Sequence, residues 1–124
     1  MALRGSTAQE RAWNFFCDKG LNHYAISGIM ASIRAESGFN PRNLQNSCEK
    51  KSGYTDATYT AAVDNGSYAN FIRDSFGYGY AQWTYWSRKQ NLLNFAKKKG
   101  KSIGDEEMQL EYLCCLLYTS DAAD

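Results

Sequence analysis

Residues 25–41 read AISGIMASIRAESGFNP, an apolar helical pattern that stops abruptly. Five apolar side chains recur at the spacing of one helix face, namely Ala25, Ile26, Ile29, Met30 and Ile33. Gly38 and Pro41 are expected to end this helix near Glu36 or Ser37, because proline disfavours helix in the residue before it. The stretch therefore predicts a core helix with a carboxylate in its last turn.

Further helices are predicted on both sides of this one. Capping residues and glycines suggest helices from Thr7 to Gly20, from Thr55 to Asn65-Gly66, from about Tyr85 to Lys99, and from Asp105 onward. Asn22 can cap the start of the core helix. Asn43 to Gly53 reads as a polar loop, and Ser67 to Arg73 as a helical turn or two. The segment from Asp74 to Trp83 should be irregular or hairpin-like, since it alternates glycine with aromatic residues. We predict a mainly α fold with a small irregular or hairpin lobe beside a groove.

Composition and charge narrow the function classes. The 124 residues allow one domain of ordinary size. Lysine and arginine total 14 against 13 acidic residues, a balance that favours neither nucleic acid nor a membrane surface as partner. The start of the chain has no apolar signal region, and no stretch reaches the roughly 20 apolar residues of a membrane span. We therefore expect no nucleic-acid binding, no membrane insertion and no signal peptide.

The cysteines do not form a metal motif. They are Cys17, Cys48, Cys114 and Cys115, and the single histidine is His23. None of them forms a C-x-x-C pair, so neither a zinc site nor any other cofactor is predicted. A Cys17–Cys48 disulfide is conceivable, but spacing alone favours two free thiols.

The last ten residues, 115–124, differ in character from the rest of the chain. They read CLLYTSDAAD and resemble the translation of a transposon-end adapter used in sequencing libraries. We interpret them as a non-native tail on a metagenomic fragment whose natural sequence ends near Leu113 or Cys114. An ordinary amphipathic tail is the alternative.

Glu36 has the properties of a candidate general acid. The C-terminal end of a helix carries partial negative charge, which disfavours an ionised glutamate. Nearby aromatic side chains would add desolvation, and both effects favour the protonated form that a general acid needs. A solvent-exposed glutamate at a helix end is the alternative.

A second segment, residues 75–83, reads SFGYGYAQW and could form one wall of a sugar-binding groove. Glycines allow a ligand to approach the backbone closely. Tyrosines offer flat faces with polar tips, and Gln82 offers both a donor and an acceptor. A tight hairpin packed on the core would have the same composition.

Together, Glu36-Ser37 and the segment from Gly77 to Gln82 resemble the motifs of lysozyme-like enzymes. The similarity is to the goose-type lysozyme and soluble lytic transglycosylase branch, and above all to phage tail lysozyme domains. It spans about Thr7 to Leu113, although Tyr80-Ala81 replaces the commoner aliphatic-methionine pair and no Ala-Tyr-Asn motif is found. The resemblance implies a lysozyme-like α+β fold, with residues 1–114 as the peptidoglycan-cleaving domain and room for further domains beyond it.

The resemblance also implies a role for each matching residue. Glu36 would protonate the glycosidic oxygen, and Ser37 would orient this acid or the substrate. Gln82 would hydrogen-bond the substrate or the attacking water. The candidate sugar contacts are Tyr78, Gly79, Tyr80 and Trp83, and for each aromatic residue a core role is the alternative.

Glycosidases usually need a second carboxylate as base or nucleophile. Three aspartates lie in the lobe expected to face Glu36, namely Asp56, Asp64 and Asp74. Asp74 is favoured because it is nearest to residues 75–83, which we call the glycine segment. A transglycosylase would need none, because the 6-hydroxyl of the sugar attacks instead of water.

The resemblance implies a muramidase that cleaves the β-1,4 bond between N-acetylmuramic acid and N-acetylglucosamine. The alternatives are a lytic transglycosylase and a non-catalytic glycan-binding module of a phage tail. Its partners would be peptidoglycan glycan strands and other domains of a tail or cell-wall protein. Its location would be the virion tail or the extracellular cell wall.

Overall fold

The computed structural model describes the backbone of residues 3–123 and the side chains of residues 3–117. This part of the chain is mainly α-helical, as predicted. Its helices in chain order are α1 (Ala8–Asp18), α2 (His23–Ser37), α3 (Asn46–Ser52), α4 (Asp56–Asn65), α5 (Trp86–Lys99) and α6 (Glu106–Ala123). Between α4 and α5, the segment that contains the glycines forms the small irregular lobe.

The predicted helix starts are confirmed by their caps. Thr7 and Asn22 precede α1 and α2, and each side chain accepts a hydrogen bond from a backbone N–H of the first turn. Thr55 and Thr58 bond reciprocally in a capping box at the start of α4. The Asp105 carboxylate accepts from a backbone N–H of the first turn of α6 at 2.9 Å. These local bonds place the helix starts where the sequence predicts them.

The core consists of two clusters that α6 joins. Met108 and Tyr112 pack into the cluster beneath α4 and α5. Leu110 and Cys114, on the other side of α6, pack into the cluster formed with α1 and α2. Tyr80 of the glycine segment belongs to this second cluster. The end of α2 and the glycine segment are therefore packed against one another.

Two segments differ from the prediction. Asn46–Ser52, which was expected to be loop, is the short helix α3. Cys48 is its one buried residue, so it has no apolar stripe that the sequence could show. Ser67 to Arg73, for which a helical turn or two was predicted, holds one turn at its end, where the Asn70 carbonyl accepts from the N–H groups of Arg73 and Asp74, and residues 67–70 are not helical.

α6 is one continuous helix that passes through the predicted boundary at Cys115. The side chains of residues 118–124 lie outside the described residues, and a non-native origin of residues 115–124 stays a prediction. Cys17 and Cys48 are free thiols. Across residues 3–123, none of the helices combines the length and the apolarity needed to cross a bilayer.

Candidate functional site

Glu36 lies at the corner where helix α2 ends and the chain turns. It is the penultimate residue of α2, and its side chain is exposed. Gly38 and Phe39 follow with φ angles of 60° and 63°, a left-handed pair that reverses the chain. Phe39 is buried and packs edge-on against Tyr80, with 6.2 Å between the ring centroids. The helix end that holds the carboxylate is thus anchored in the core.

The buried hydroxyl of Ser37 connects this corner to the glycine segment. Its Oγ lies 3.0 Å from the carbonyl oxygen of Ile33, one turn back, and 2.9 Å from that of Tyr80. A buried hydroxyl that bonds a distant carbonyl fixes the spacing of the two backbones. Ser37 therefore positions Glu36 relative to the glycine segment, and its own side chain does not line the groove.

The glycine segment is a tight loop. Tyr78 and Trp83 exchange two backbone hydrogen bonds, of 3.1 and 2.9 Å. Gly79 and Gln82 adopt positive φ angles of 84° and 48° inside this loop. The loop is thus hairpin-like, as predicted, although it forms only isolated bridges and no extended strand.

Gln82 fixes the loop through its side chain. Its Nε2 donates to the carbonyl oxygens of Asn43 at 2.8 Å and Gly79 at 3.0 Å. A Cβ atom at Gly77 would lie only 2.8 Å from Oε1 of Gln82, so a larger residue at this position would displace the Gln82 side chain. No group among the described residues donates to this Oε1, which leaves it able to accept from a ligand.

An open groove of about 330 Å³ lies where the helix corner meets the loop. Its lining side chains are almost all polar: Glu36, Asn43, Gln45, Asn46, Gly77, Gln82 and Thr84. The structure therefore brings Glu36 together with Gly77 and Gln82, which lie more than forty residues later in the sequence. The amides of this lining offer several donors and acceptors for a hydroxyl-rich ligand.

Gln45 is a groove residue that the sequence did not reveal. Its backbone N–H donates to the Gly77 carbonyl at 2.8 Å, and its Oε1 accepts from the Gly77 N–H at 3.0 Å. It lies in the segment from Asn43 to Gly53, which the sequence predicts to be a polar loop. Its pairing with Gly77 is a tertiary contact that has no local sequence signal.

The environment of Glu36 differs from the expectation of nearby aromatic rings. The carboxylate is exposed, and the other groove residues carry amide or hydroxyl groups or are glycine. Water is therefore excluded from Glu36 only when a ligand covers it.

The three aromatic candidates for sugar contact are core residues instead. Tyr78, Tyr80 and Trp83 are buried, and none of them lines the groove. The Tyr78 hydroxyl hydrogen-bonds the hydroxyl of Thr60 within the core, and Trp83 packs against Tyr112, with 5.2 Å between the ring centroids. The prediction of sugar contacts is wrong for these rings, because the tight loop directs them inward.

Gly79 also faces the core and not the groove. A Cβ atom there would meet Gln109 and Trp83 at 3.0 Å. Gln109 is fully buried and was missed by the sequence reading. Its amide accepts from the Tyr80 N–H and donates to the carbonyls of Pro41 and Ile103. This one side chain joins backbone groups from three separate segments of the chain.

Asp74 is not placed to be the second catalytic carboxylate. Its side chain is only 4% exposed and pairs with the fully buried ammonium of Lys89 at 2.5 Å. It also accepts from the hydroxyls of Tyr59 at 2.6 Å and Tyr68 at 2.8 Å, and from the Phe76 N–H at 2.9 Å. Burial lowers the pKa of Lys89, and the hydrogen bond and charge of Asp74 oppose that shift. The expectation that Asp74 acts in the groove is therefore not supported.

Asp56 and Asp64 are engaged elsewhere as well. Asp56 accepts from the Asn40 side chain and the Leu44 N–H, and Asp64 accepts from Ser102 and the Ile103 N–H. Within the described residues, Glu36 is the only acid that lines the groove. In the same part of the chain, no group of three His, Cys, Asp or Glu side chains is arranged to hold a metal ion.

The fold and the site define the class of protein: a mainly helical domain with one carboxylate, at the end of a helix, in a polar groove. The family model described as phage tail lysozyme matches residues 7–123, and the chain belongs to this family. The family indicates a lysozyme-like protein that acts on peptidoglycan and is associated with phage or the cell wall. Searches of curated proteins and of solved structures found no match.

The buried position of Asp74 gives a stability prediction. Asp74→Asn should lower the free energy of unfolding by about 3–5 kcal/mol, because it leaves the Lys89 ammonium buried without a counter-charge. Asp64→Asn is the matched control: this carboxylate accepts two hydrogen bonds but forms no ion pair within the described residues, and a smaller loss is expected. Urea unfolding of both variants measures the difference, and equal losses would contradict a structural role for the buried pair.

Proposed function

We propose that this protein cleaves the β-1,4 bond between N-acetylmuramic acid and N-acetylglucosamine in peptidoglycan, with Glu36 as general acid. The supporting observation is that Glu36 is the one acid lining the groove in the described part of the chain. Its helix end is anchored by Phe39 and Ser37, which favours a reproducible carboxyl position.

The first step is proton transfer. The Glu36 carboxyl donates its proton to the glycosidic oxygen, the C–O bond to the muramic acid C1 breaks, and N-acetylglucosamine leaves with a free 4-hydroxyl. The C1 centre then has oxocarbenium character. A bound glycan strand covers the exposed carboxyl and excludes water from the reacting atoms.

The second step completes the cleavage. In a hydrolase, water attacks C1 and returns its proton to the Glu36 carboxylate, which has become the base. The free Oε1 of Gln82 is an acceptor that can hold this water or a sugar hydroxyl. The Ser37 hydrogen bond keeps the end of α2 and the loop at a fixed separation while Glu36 first donates a proton and then accepts one.

Lytic transglycosylase chemistry is the second candidate, and the engagement of Asp74 in a buried ion pair favours it. With no second carboxylate lining the groove, the 6-hydroxyl of the muramic acid itself can attack C1 and pass its proton to Glu36. As in hydrolysis, one C1–O bond breaks and another forms, but the product is a 1,6-anhydro sugar and no water is consumed. Either chemistry would suit a domain delivered to the cell wall by a phage tail.

Replacing the acid tests the proposed function. Glu36→Gln should reduce the clearing rate of a suspension of Gram-positive cell walls by at least about 10²–10⁴-fold, because an amide cannot donate the proton. Glu107→Gln, which lies outside the groove, is the control and should clear at the normal rate. Thermal unfolding checks that both variants are folded. Equal clearing by Glu36→Gln and the unsubstituted protein would refute the assignment, and glycan binding without turnover by the latter would favour a non-catalytic tail module.

Product analysis separates the two chemistries. Mass spectrometry of muropeptides released in ¹⁸O-labelled water should show labelled reducing ends if water attacks. Unlabelled 1,6-anhydro ends, which are lighter by one water, are expected if the 6-hydroxyl attacks. The single acid of the groove leads us to expect anhydro ends in at least part of the product, and their complete absence would contradict the second candidate.

A further inference from the structure

Two large aromatic side chains are exposed next to each other at the start of α5. Tyr85 is 67% exposed and Trp86 is 55% exposed. Their ring centroids lie 6.4 Å apart, and the ring planes differ by 32°. Neighbouring exposed aromatic rings are characteristic of binding surfaces, because leaving them in water forgoes the gain from burial.

Two hollows of about 530 and 520 Å³ lie beside this pair. Ile72, Arg73 and Trp86 line both of them. Thr84 lines one of these hollows and also lines the groove that contains Glu36. The surface formed by Ile72, Arg73, Tyr85 and Trp86, which we call the aromatic shelf, is therefore continuous with the groove.

We propose that the aromatic shelf binds the part of the peptidoglycan strand that extends beyond the cleaved bond. This inference rests on the proposed function, because it assigns the shelf to the same glycan. The occupant would be a further disaccharide unit of the strand, which passes from the Glu36 groove over Thr84 and onto Tyr85 and Trp86.

The chemistry of the shelf complements that of the groove. Pyranose rings present apolar C–H faces that pack on aromatic rings, and their N-acetyl methyl groups suit an apolar contact such as Ile72. The groove itself has no aromatic lining, so it supplies hydrogen bonds but no stacking surface. A strand that spans both regions gains stacking on the shelf and orientation in the groove.

Arg73 gives the shelf a preference for ligands that carry negative charge. It is exposed beside both hollows. The peptide stems attached to muramic acid carry carboxylates, and a guanidinium is the side chain best suited to pair with them. The shelf should therefore bind strands that bear stems more tightly than strands of sugar alone.

The proposal is tested by binding in the Glu36→Gln background, in which the glycan is not consumed. The probes are purified peptidoglycan strands of several disaccharides, with and without peptide stems, and a single disaccharide. Adding Trp86→Ala should weaken strand binding roughly tenfold, and Tyr85→Ala should weaken it less severely. Binding of the single disaccharide should change little. Arg73→Gln should weaken only the binding of strands that carry stems.

Tyr24→Ala provides the matched control, since Tyr24 is 93% exposed but lies at the opposite end of α2 from Glu36. Strand affinity that is unchanged by Trp86→Ala and Tyr85→Ala, or lowered equally by Tyr24→Ala, would overturn the proposal. A shift from dimer to monomer in sedimentation, caused by Trp86→Ala with no change in strand affinity, would overturn it in favour of a contact between copies. If only the proposed function is wrong, the result is different: the unsubstituted protein does not cleave the strand, but strand binding still depends on Tyr85 and Trp86.

Discussion

The hydrogen bond between the Ser37 hydroxyl and the Tyr80 carbonyl is the constraint on which the site depends. It joins the end of a core helix to a loop that lies more than forty residues later in the chain. Together with the packing of Phe39 on Tyr80, it sets the distance between Glu36 on the helix and Gln82 in the loop. Because the hydroxyl is buried, its loss would also leave the Tyr80 carbonyl short of a partner. The position of the acid is thus a consequence of packing.

Three glutamine residues in and near the groove also hold distant backbone segments together by hydrogen bonds. Gln45 pairs with both backbone groups of Gly77, Gln82 binds two carbonyls, and buried Gln109 joins three further backbone positions. An amide can donate and accept at once, so it can brace irregular backbone that has no sheet or helix partners. The Lys89–Asp74 ion pair braces the neighbouring Phe76 in the same way, through its N–H and its carbonyl.

The sequence predicted those parts of the fold that rest on local signals. Thr7, Asn22, Thr55 and Asp105 cap helices through bonds to residues three positions away, and these were found correctly. Tyr78, Tyr80 and Trp83 were misread because an irregular loop has no period that tells its inner face from its outer face. Asp74 was misread because its partner, Lys89, lies fifteen residues away, and an ion pair across such a distance leaves no pattern. The juxtaposition of Glu36 and Gln82 came from the family resemblance, since spacing alone could not supply it.

The central claim is that Glu36 meets the scissile bond in the groove shared with Gln82. The most direct test is a crystal structure of the Glu36→Gln variant with a bound peptidoglycan strand. The account predicts that the amide at position 36 lies within hydrogen-bond distance of a glycosidic oxygen between muramic acid and glucosamine. A strand bound with position 36 facing solvent, and with another side chain at that oxygen, would contradict it.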